Sequence, residues 1–349
     1  MPTEERQRSP LGAYVLPGRV SDPRVGVGQA QMAEHLNLST VWISERYGTK
    51  DLGVLGGAIA QATTRVNIAS GVAHFLFRHP LVFSSMALTM QALSGGRFML
   101  GVGRSVGPMW QAVGLPPMTN QALIDCADIY RRLCAGEKVR YDGPAGRFPS
   151  LRLGDLPDVT TPPISLAAMG PKTLDIAGRH FDGVILHPFL TTSAVTEAVS
   201  KVRAGAERAG RDPDSIKVYA TVVVAPDLTE EQELAVVGGR AVTYYQIPDF
   251  GELLASVNGW DVNELHRFRS QPMLANIRGS ADNLFTKDQL AEVSRSLPSQ
   301  WLRDGAAVGS AATCAGRLRE YLDAGADEII IHGAVPDLLG PTVQHFDRR

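Results

Sequence analysis

Short apolar runs of strand length recur along this chain near residues 11–17, 40–45, 65–72, 97–102, 163–168, 182–187, 216–224 and 327–332. Stretches with apolar residues at helical spacing separate most of them. Val222-Val223-Val224 and Ile329-Ile330-Ile331 are apolar at every position, as in strands of a parallel sheet covered by helices. Eight such strands alternating with helices predict an α/β chain closed into a (β/α)8 TIM barrel.

The clearest unit runs from Arg65 to Ser105. Val66, Ile68 and Val72 mark a strand, and His79-Pro80 then opens a helix with proline at its first position, where the missing N–H costs nothing. Val82, Met86, Met90 and Leu93 share one face of that helix, Ser94-Gly95-Gly96 ends it, and Phe98-Met99-Leu100 begins the next strand. This is one right-handed βαβ unit. Two stretches interrupt the rhythm. Residues 138–162, rich in Gly and Pro, are predicted to be irregular. Residues 226–312 are too long for one connection and are predicted to be a mainly helical insertion before the last strand, followed by a helix over 313–322 that stops at Gly325.

Composition narrows the function. A chain of 349 residues with 44% hydrophobic content can bury one large core, so residues 1–349 are read as one domain with a flexible N-terminus over 1–10. The formal net charge is −2 and no long basic run occurs, which removes the electrostatic footprint of a nucleic acid or anionic membrane and leaves a small molecule as the partner. MPTEERQRSP lacks the apolar stretch of a signal peptide, and no apolar segment reaches the ~20 residues of a membrane helix, so a cytoplasmic protein is expected. Of three cysteines, Cys126 and Cys134 lie about 12 Å apart along one predicted helix, too far for a disulfide. No Cys/His group has zinc spacing.

A barrel of this kind carries its chemistry at the C-terminal ends of its strands. Those ends present Glu45 and Arg46, Gly71 to His74, Gly103 and Arg104, Met169 to Thr173, His187, and His332. Each has a plainer reading: Glu45-Arg46 as a surface ion pair, each histidine as a locally satisfied side chain, Gly71 as a strand end. Gly101-Val102-Gly103 does not satisfy the dinucleotide fingerprint, because Pro108 follows closely and Asp125 falls inside a helical stretch; the glycines read as a tight strand exit that lets a ligand approach the backbone. Gly170-Pro171-Lys172-Thr173 follows a strand and starts a helix. There, free N–H groups, the helix dipole and the Lys172 ammonium could meet a phosphate, or the proline could simply initiate the helix.

The block Ser-Gly-Gly-Arg-Phe-Met-Leu-Gly-Val-Gly (Ser94 to Gly103), with VWISERYG (Val41 to Gly48) before it and PPISLAAMGPKTLDIAGRHFDGVI (Pro162 to Ile185) after it, resembles the luciferase-like monooxygenase superfamily, in the branch that uses the deazaflavin coenzyme F420. The likeness runs along nearly the whole chain and is weakest over 226–312. It implies a luciferase-like barrel that transfers a hydride between F420 and a small organic substrate, and a homodimer. It also implies a non-prolyl cis peptide at Gly71-Val72 behind the coenzyme ring. Glu45 matches the family's acidic position, whereas Arg46 stands where many members have histidine and cannot shuttle a proton near neutral pH. Proton handling is therefore expected of Glu45, His74 and His187. Coenzyme contacts are expected of Glu45, Arg46, Gly71, Val72, His74, Arg104, Ala168, Met169, Gly170, Pro171, Lys172 and Thr173. Arg104 departs from the acidic residue of other members. Tyr244, Tyr245 and Trp260 of the insertion read either as a substrate cover or as core. Two other functions are compatible with these residues: an oxygen-using monooxygenase with reduced FMN, and a coenzyme-binding protein without turnover.

Overall fold

The computed structural model describes residues 8–18, 21–46, 50–104, 113–275, 277, 279 and 281–348. Tyr47 and Gly48, Ser105 to Pro108, and residues 1–7 of the N-terminal stretch lie outside the described residues.

Eleven strands are described: β1 Leu11–Tyr14, β2 Thr40–Ile43, β3 Asn67–Ser70, β4 Phe98–Val102, β5 Val139–Gly143, β6 Gly146–Leu151, β7 Ile164–Ala168, β8 Gly183–Leu186, β9 Lys217–Pro226, β10 Ala306–Gly309 and β11 Glu328–Gly333. All pairings among β9, β11, β1, β2, β3, β4, β7 and β8 are parallel, in that order, and β8 returns to β9 to close the barrel. These are the eight strands that the apolar runs predict.

Strand alternation sorts side chains into two cores. Val41, Ile43, Ile68, Leu100, Leu166, Val184 and Ile331 face outward and join the large core under the helices. Tyr14, Trp42, Ala69, Ile185, Tyr219 and Ile330 face the axis and form a small core inside the barrel. The barrel is thus filled at mid-height, and its two ends are left for polar groups.

The helices follow from local signals. Asp51 caps Leu52–Ala62 by accepting from the Val54 N–H at 2.9 Å, and Pro80 occupies the first turn of Pro80–Leu93. Gly95 and Gly96 end that helix with φ of 64° and 87°. The motif arginine is structural: Arg97 donates to the carbonyls of Ala60, Thr63 and Ser94, tying two helix ends to β4. The paired glycines of the same block are steric. A Cβ on Gly101 would stand 2.0 Å from the Ser70 carbonyl oxygen, and one on Gly103 2.7 Å from Val72 Cγ2, so only glycine lets β4 pass this close to β3.

Two local expectations need correction, and a third stands with one addition. Residues 138–162 are not wholly irregular, because β5 and β6 form an antiparallel hairpin there. The insertion over 226–312 is mainly helical but contains β10, which pairs with Val223 to Pro226 of β9 beyond the reach of β8. Ser9 and Pro10 are not loose: Ser9 is buried and its N–H donates to the Asn37 carbonyl at 3.1 Å. Among the described residues no helix is long and apolar enough to cross a membrane.

Candidate active site

A cavity of about 460 Å³ opens at the C-terminal ends of the barrel strands, within the size range of small-ligand sites. Val72, Ala167 and Ile185 form its apolar base above the inner core. The insertion supplies Arg240, Tyr244, Ile247, Phe250 and Leu253, which cover one side.

Most of the residues expected at the site are brought together here. Arg46, Gly71, Val72, His74, Arg104, Ala168, Met169, Gly170, Thr173 and His187 all line the cavity. The Gly71-Val72 peptide is cis, and the Tyr14 hydroxyl donates to the Gly71 carbonyl at 2.9 Å. Glu45, Pro171 and Lys172 are not part of the lining. Glu45 lies behind His74, where its carboxylate accepts the His74 backbone N–H at 3.0 Å and pairs with Arg78, which also reaches Asp51 at 2.8 Å. Pro171 and Lys172 are exposed on the first turn of the helix Pro171–His180.

Three histidines face this space, and burial works against a charge on each. His74 Nδ1 sits 3.2 Å from the Gly103 carbonyl, an acceptor, so that nitrogen carries the proton and Nε2 is the basic one. Burial holds its pKa below the ordinary histidine value, against the opposing pull of the Gly103 carbonyl and Glu45. His187 donates from Nδ1 to the Pro188 carbonyl at 2.7 Å and packs edge-on against Tyr244 and Phe250. Burial first, and Arg240 to a smaller degree, lower its pKa to about 4. The imidazole is therefore neutral near pH 7 and can accept a proton or polarise, but cannot deliver one as the imidazolium. His332 is buried against Tyr14 at 4.9 Å between ring centres, and its Nδ1 has no hydrogen-bond partner. Burial, then Arg240, Lys50 and Arg46, push its pKa well down.

On the far side of the cavity, Arg104 donates to Asn120 Oδ1 at 2.8 Å and Thr173 Oγ1 at 3.1 Å, which sets the guanidinium beside the first turn of the helix Pro171–His180. A cation and a helix start thus share one wall.

A family model described as luciferase-like monooxygenase matches residues 3–328. The chain belongs to this family. It is 26% identical over 324 residues to a 5,10-methylenetetrahydromethanopterin reductase of Methanolobus tindarius, covering 89% of this chain and 90% of the relative. It is 28% identical over 207 residues to an F420-dependent hydroxymycolic acid dehydrogenase of Mycobacterium tuberculosis, covering 54% and 56% of the two chains. Among solved structures, the coenzyme F420 dependent tetrahydromethanopterin reductase from Methanopyrus kandleri superposes with a TM-score of 0.77 at 19% identity, covering 96% of this chain and 97% of that one. That likeness establishes the luciferase-like (β/α)8 fold.

Sequence reasoning passed over Tyr14, Thr221, Arg240, Phe250, Leu253 and Asp282 as lining residues and left His332 without a role. Strict alternation could have found Tyr14, Thr221 and His332, since each sits on an inward position, Tyr14 and His332 near the ends of their strands and Thr221 midway along β9. No local signal marks the insertion residues. Of the three aromatics weighed as a cover, only Tyr244 reaches the cavity; Trp260 stacks on Trp301 at 4.9 Å, and Tyr245 packs beside both in the core of the insertion.

Proposed function

We propose that this chain is an F420-dependent oxidoreductase that transfers a hydride between the deazaflavin and a small organic substrate held at the barrel mouth. The observation that carries this reading is the cavity itself: an apolar base, flanked by neutral histidines and by a cation at a helix start, in a family with F420-dependent members. The residues present fit such a coenzyme. The base suits a flat ring, and Gly71, Gly103 and Gly170 line the cavity and add no side-chain bulk. When bound, the deazaflavin supplies a ring carbon that gives or takes the hydride, without a covalent enzyme intermediate.

The chain's own residues then have distinct tasks. Gly71 and Val72 back the ring. Ala168, Met169, Gly170 and Thr173, with Arg104 and with Pro171 and Lys172 on the outer turn, hold the anionic tail. His74 is the proton-handling group at Nε2, and Glu45 is a positioning residue that fixes its backbone and neutralises Arg78. His187, neutral, orients or polarises. Arg46 binds and polarises without moving a proton. Tyr244, Phe250 and Leu253 exclude water.

Parallel fluorescence titrations with F420 and FMN test this. Saturable binding of F420 and none of FMN is expected, and Glu45→Gln should lower turnover about tenfold or more with F420 affinity retained. Selective FMN binding with oxygen consumption would instead make the chain a monooxygenase, and F420 binding without hydride exchange across a substrate panel would leave a coenzyme-binding protein.

The chain acts as one domain, and we infer a homodimer. Val54, Val82 and Leu93 are 77%, 57% and 44% exposed on the adjacent helices Leu52–Ala62 and Pro80–Leu93, an apolar face suited to a second copy. Sedimentation equilibrium reads this directly, and a single 37.5 kDa species would overturn it. Buried free thiols at Cys126, Cys134 and Cys314 support a reducing, cytoplasmic setting.

A further inference from the structure

Among the described residues, the wall formed by the ends of β1, β2 and β11 gathers three cations, Lys50, Arg46 and Arg240, and one carboxylate, Asp282. Lys50 is buried, donates from Nζ to the Leu16 carbonyl at 2.5 Å, and its backbone N–H bonds to the Arg46 carbonyl at 2.9 Å. Arg240 reaches the Pro17 carbonyl at 2.9 Å and lies over the Tyr244 ring. Arg46 pairs with Asp282 at 2.8 Å, and Asp282 is the one carboxylate among the described lining residues, against Arg46, Arg104 and Arg240. The excess is felt locally. After burial, Arg46 and Arg240 are what lower the Lys50 ammonium to about 8.

Of the six side-chain atoms buried without a hydrogen-bond partner among the described residues, His332 Nδ1 is the one whose residue lines the cavity. His332 is 9% exposed, lines the cavity, and has Nδ1 buried without a hydrogen-bond partner. An unmet buried nitrogen carries a desolvation penalty that an acceptor bound at this wall would relieve. A carboxylate or phosphate oxygen would accept from a neutral imidazole N–H and from guanidinium groups together.

We propose that this wall binds an anionic group, carboxylate or phosphate, of the substrate between Arg240, Arg46 and His332, with the substrate's apolar remainder against Tyr244, Ile247 and Phe250. Its position separates it from the coenzyme tail. In the closed barrel β1 stands four strands from β7, whose C-terminal end leads to the helix start beside Arg104. Two anion sites on opposite walls leave the base between them for the ring and the reacting carbon. That the occupant is the substrate rests on the hydride-transfer reading; the anion site itself does not.

The test is calorimetric titration of the full chain with inorganic phosphate. Saturable binding is expected, weakened about tenfold or more in Arg240→Gln and in His332→Phe and retained in Arg104→Gln. Arg46→Gln serves if Arg240→Gln does not fold, as judged by circular dichroism. Absence of saturable binding, or its loss in Arg104→Gln with retention in Arg240→Gln, would overturn the proposal. A second arm separates substrate from coenzyme tail: Arg240→Gln should affect F420 and a deazaflavin lacking the phosphodiester tail equally. Selective weakening of F420 would assign the wall to the tail and overturn the substrate assignment. Failure of the wild-type chain to bind F420 would remove the hydride-transfer reading while leaving the phosphate result to stand or fall alone.

Discussion

The two ends of β11 bury opposite kinds of polar group. At its start, Glu328 accepts from Thr40 Oγ1 at 2.9 Å and Trp42 Nε1 at 3.1 Å at the closed floor of the barrel. At its end, four residues later, His332 is buried to the same degree with Nδ1 unmet. Both side chains face the axis, and both lose solvation. The floor compensates with fixed partners and so favours one structure; the mouth leaves capacity for a ligand that the chain does not contain. Among the described residues His332 is the one with such an unmet buried atom that also lines the cavity.

The sharpest way to break this contrast is to damage the floor. Trp42→Ala removes a fully buried indole that packs on Tyr219 and donates to Glu328, and should cost about 3–5 kcal/mol in urea unfolding. The folded fraction should keep its ligand affinity; a parallel loss would mean that floor and mouth are coupled.

The next effect is a pH dependence of opposite sign at the two ends. Burial raises the Glu328 pKa above its unfolded value, so its contribution is present at low pH and lost as pH rises through the folded pKa. For His187 the folded value of about 4 lies below the unfolded value, so the unfolded state binds more protons between them. Its contribution is present above about 6.5 and lost as pH falls towards 4, up to about 3 kcal/mol. His74 and His332 have the same sign. Unfolding midpoints at pH 5 and pH 7.5 should differ in this direction, and His187→Phe should shrink the difference. An unchanged difference would place the acid sensitivity elsewhere.

The smallest effect is the most telling. Replacing an orphaned buried nitrogen by an apolar ring removes a penalty, so His332→Phe should change stability by less than about 1 kcal/mol. A large loss in its melting curve would show that His332 has a structural partner after all and that mouth and floor are alike.

The strands of the barrel were legible because each buries side chains on both faces and is flanked by clear helix and turn signals. β10 was not, since Ala306-Ala307-Val308-Gly309 has weak strand propensity and is held by the free edge of β9. The hairpin β5–β6 was hidden by the Gly and Pro residues that turn it. Sequence position alone placed Arg46, His74, Arg104 and His187 at the cavity they line, because a residue at a strand's C-terminal end has only one mouth to face. Glu45 shares that position in sequence, yet its carboxylate turns to Arg78 and the His74 backbone.

Taken alone, the sequence determines the eight-strand order and the end of the barrel at which the cavity opens, because alternation and the helix signals are local properties of the chain. It also marks the close approach at Gly101 and Gly103, since only glycine has no Cβ to clash. Tertiary structure decides which insertion residues reach the cavity, placing Tyr244 over it and the adjacent Tyr245 in a core with Trp260 and Trp301. It also decides that Lys50, Arg46, Arg240 and His332, remote in sequence, share one wall. Charge and unmet hydrogen-bonding capacity at a site are sums over neighbours, and the neighbours exist only once the barrel closes.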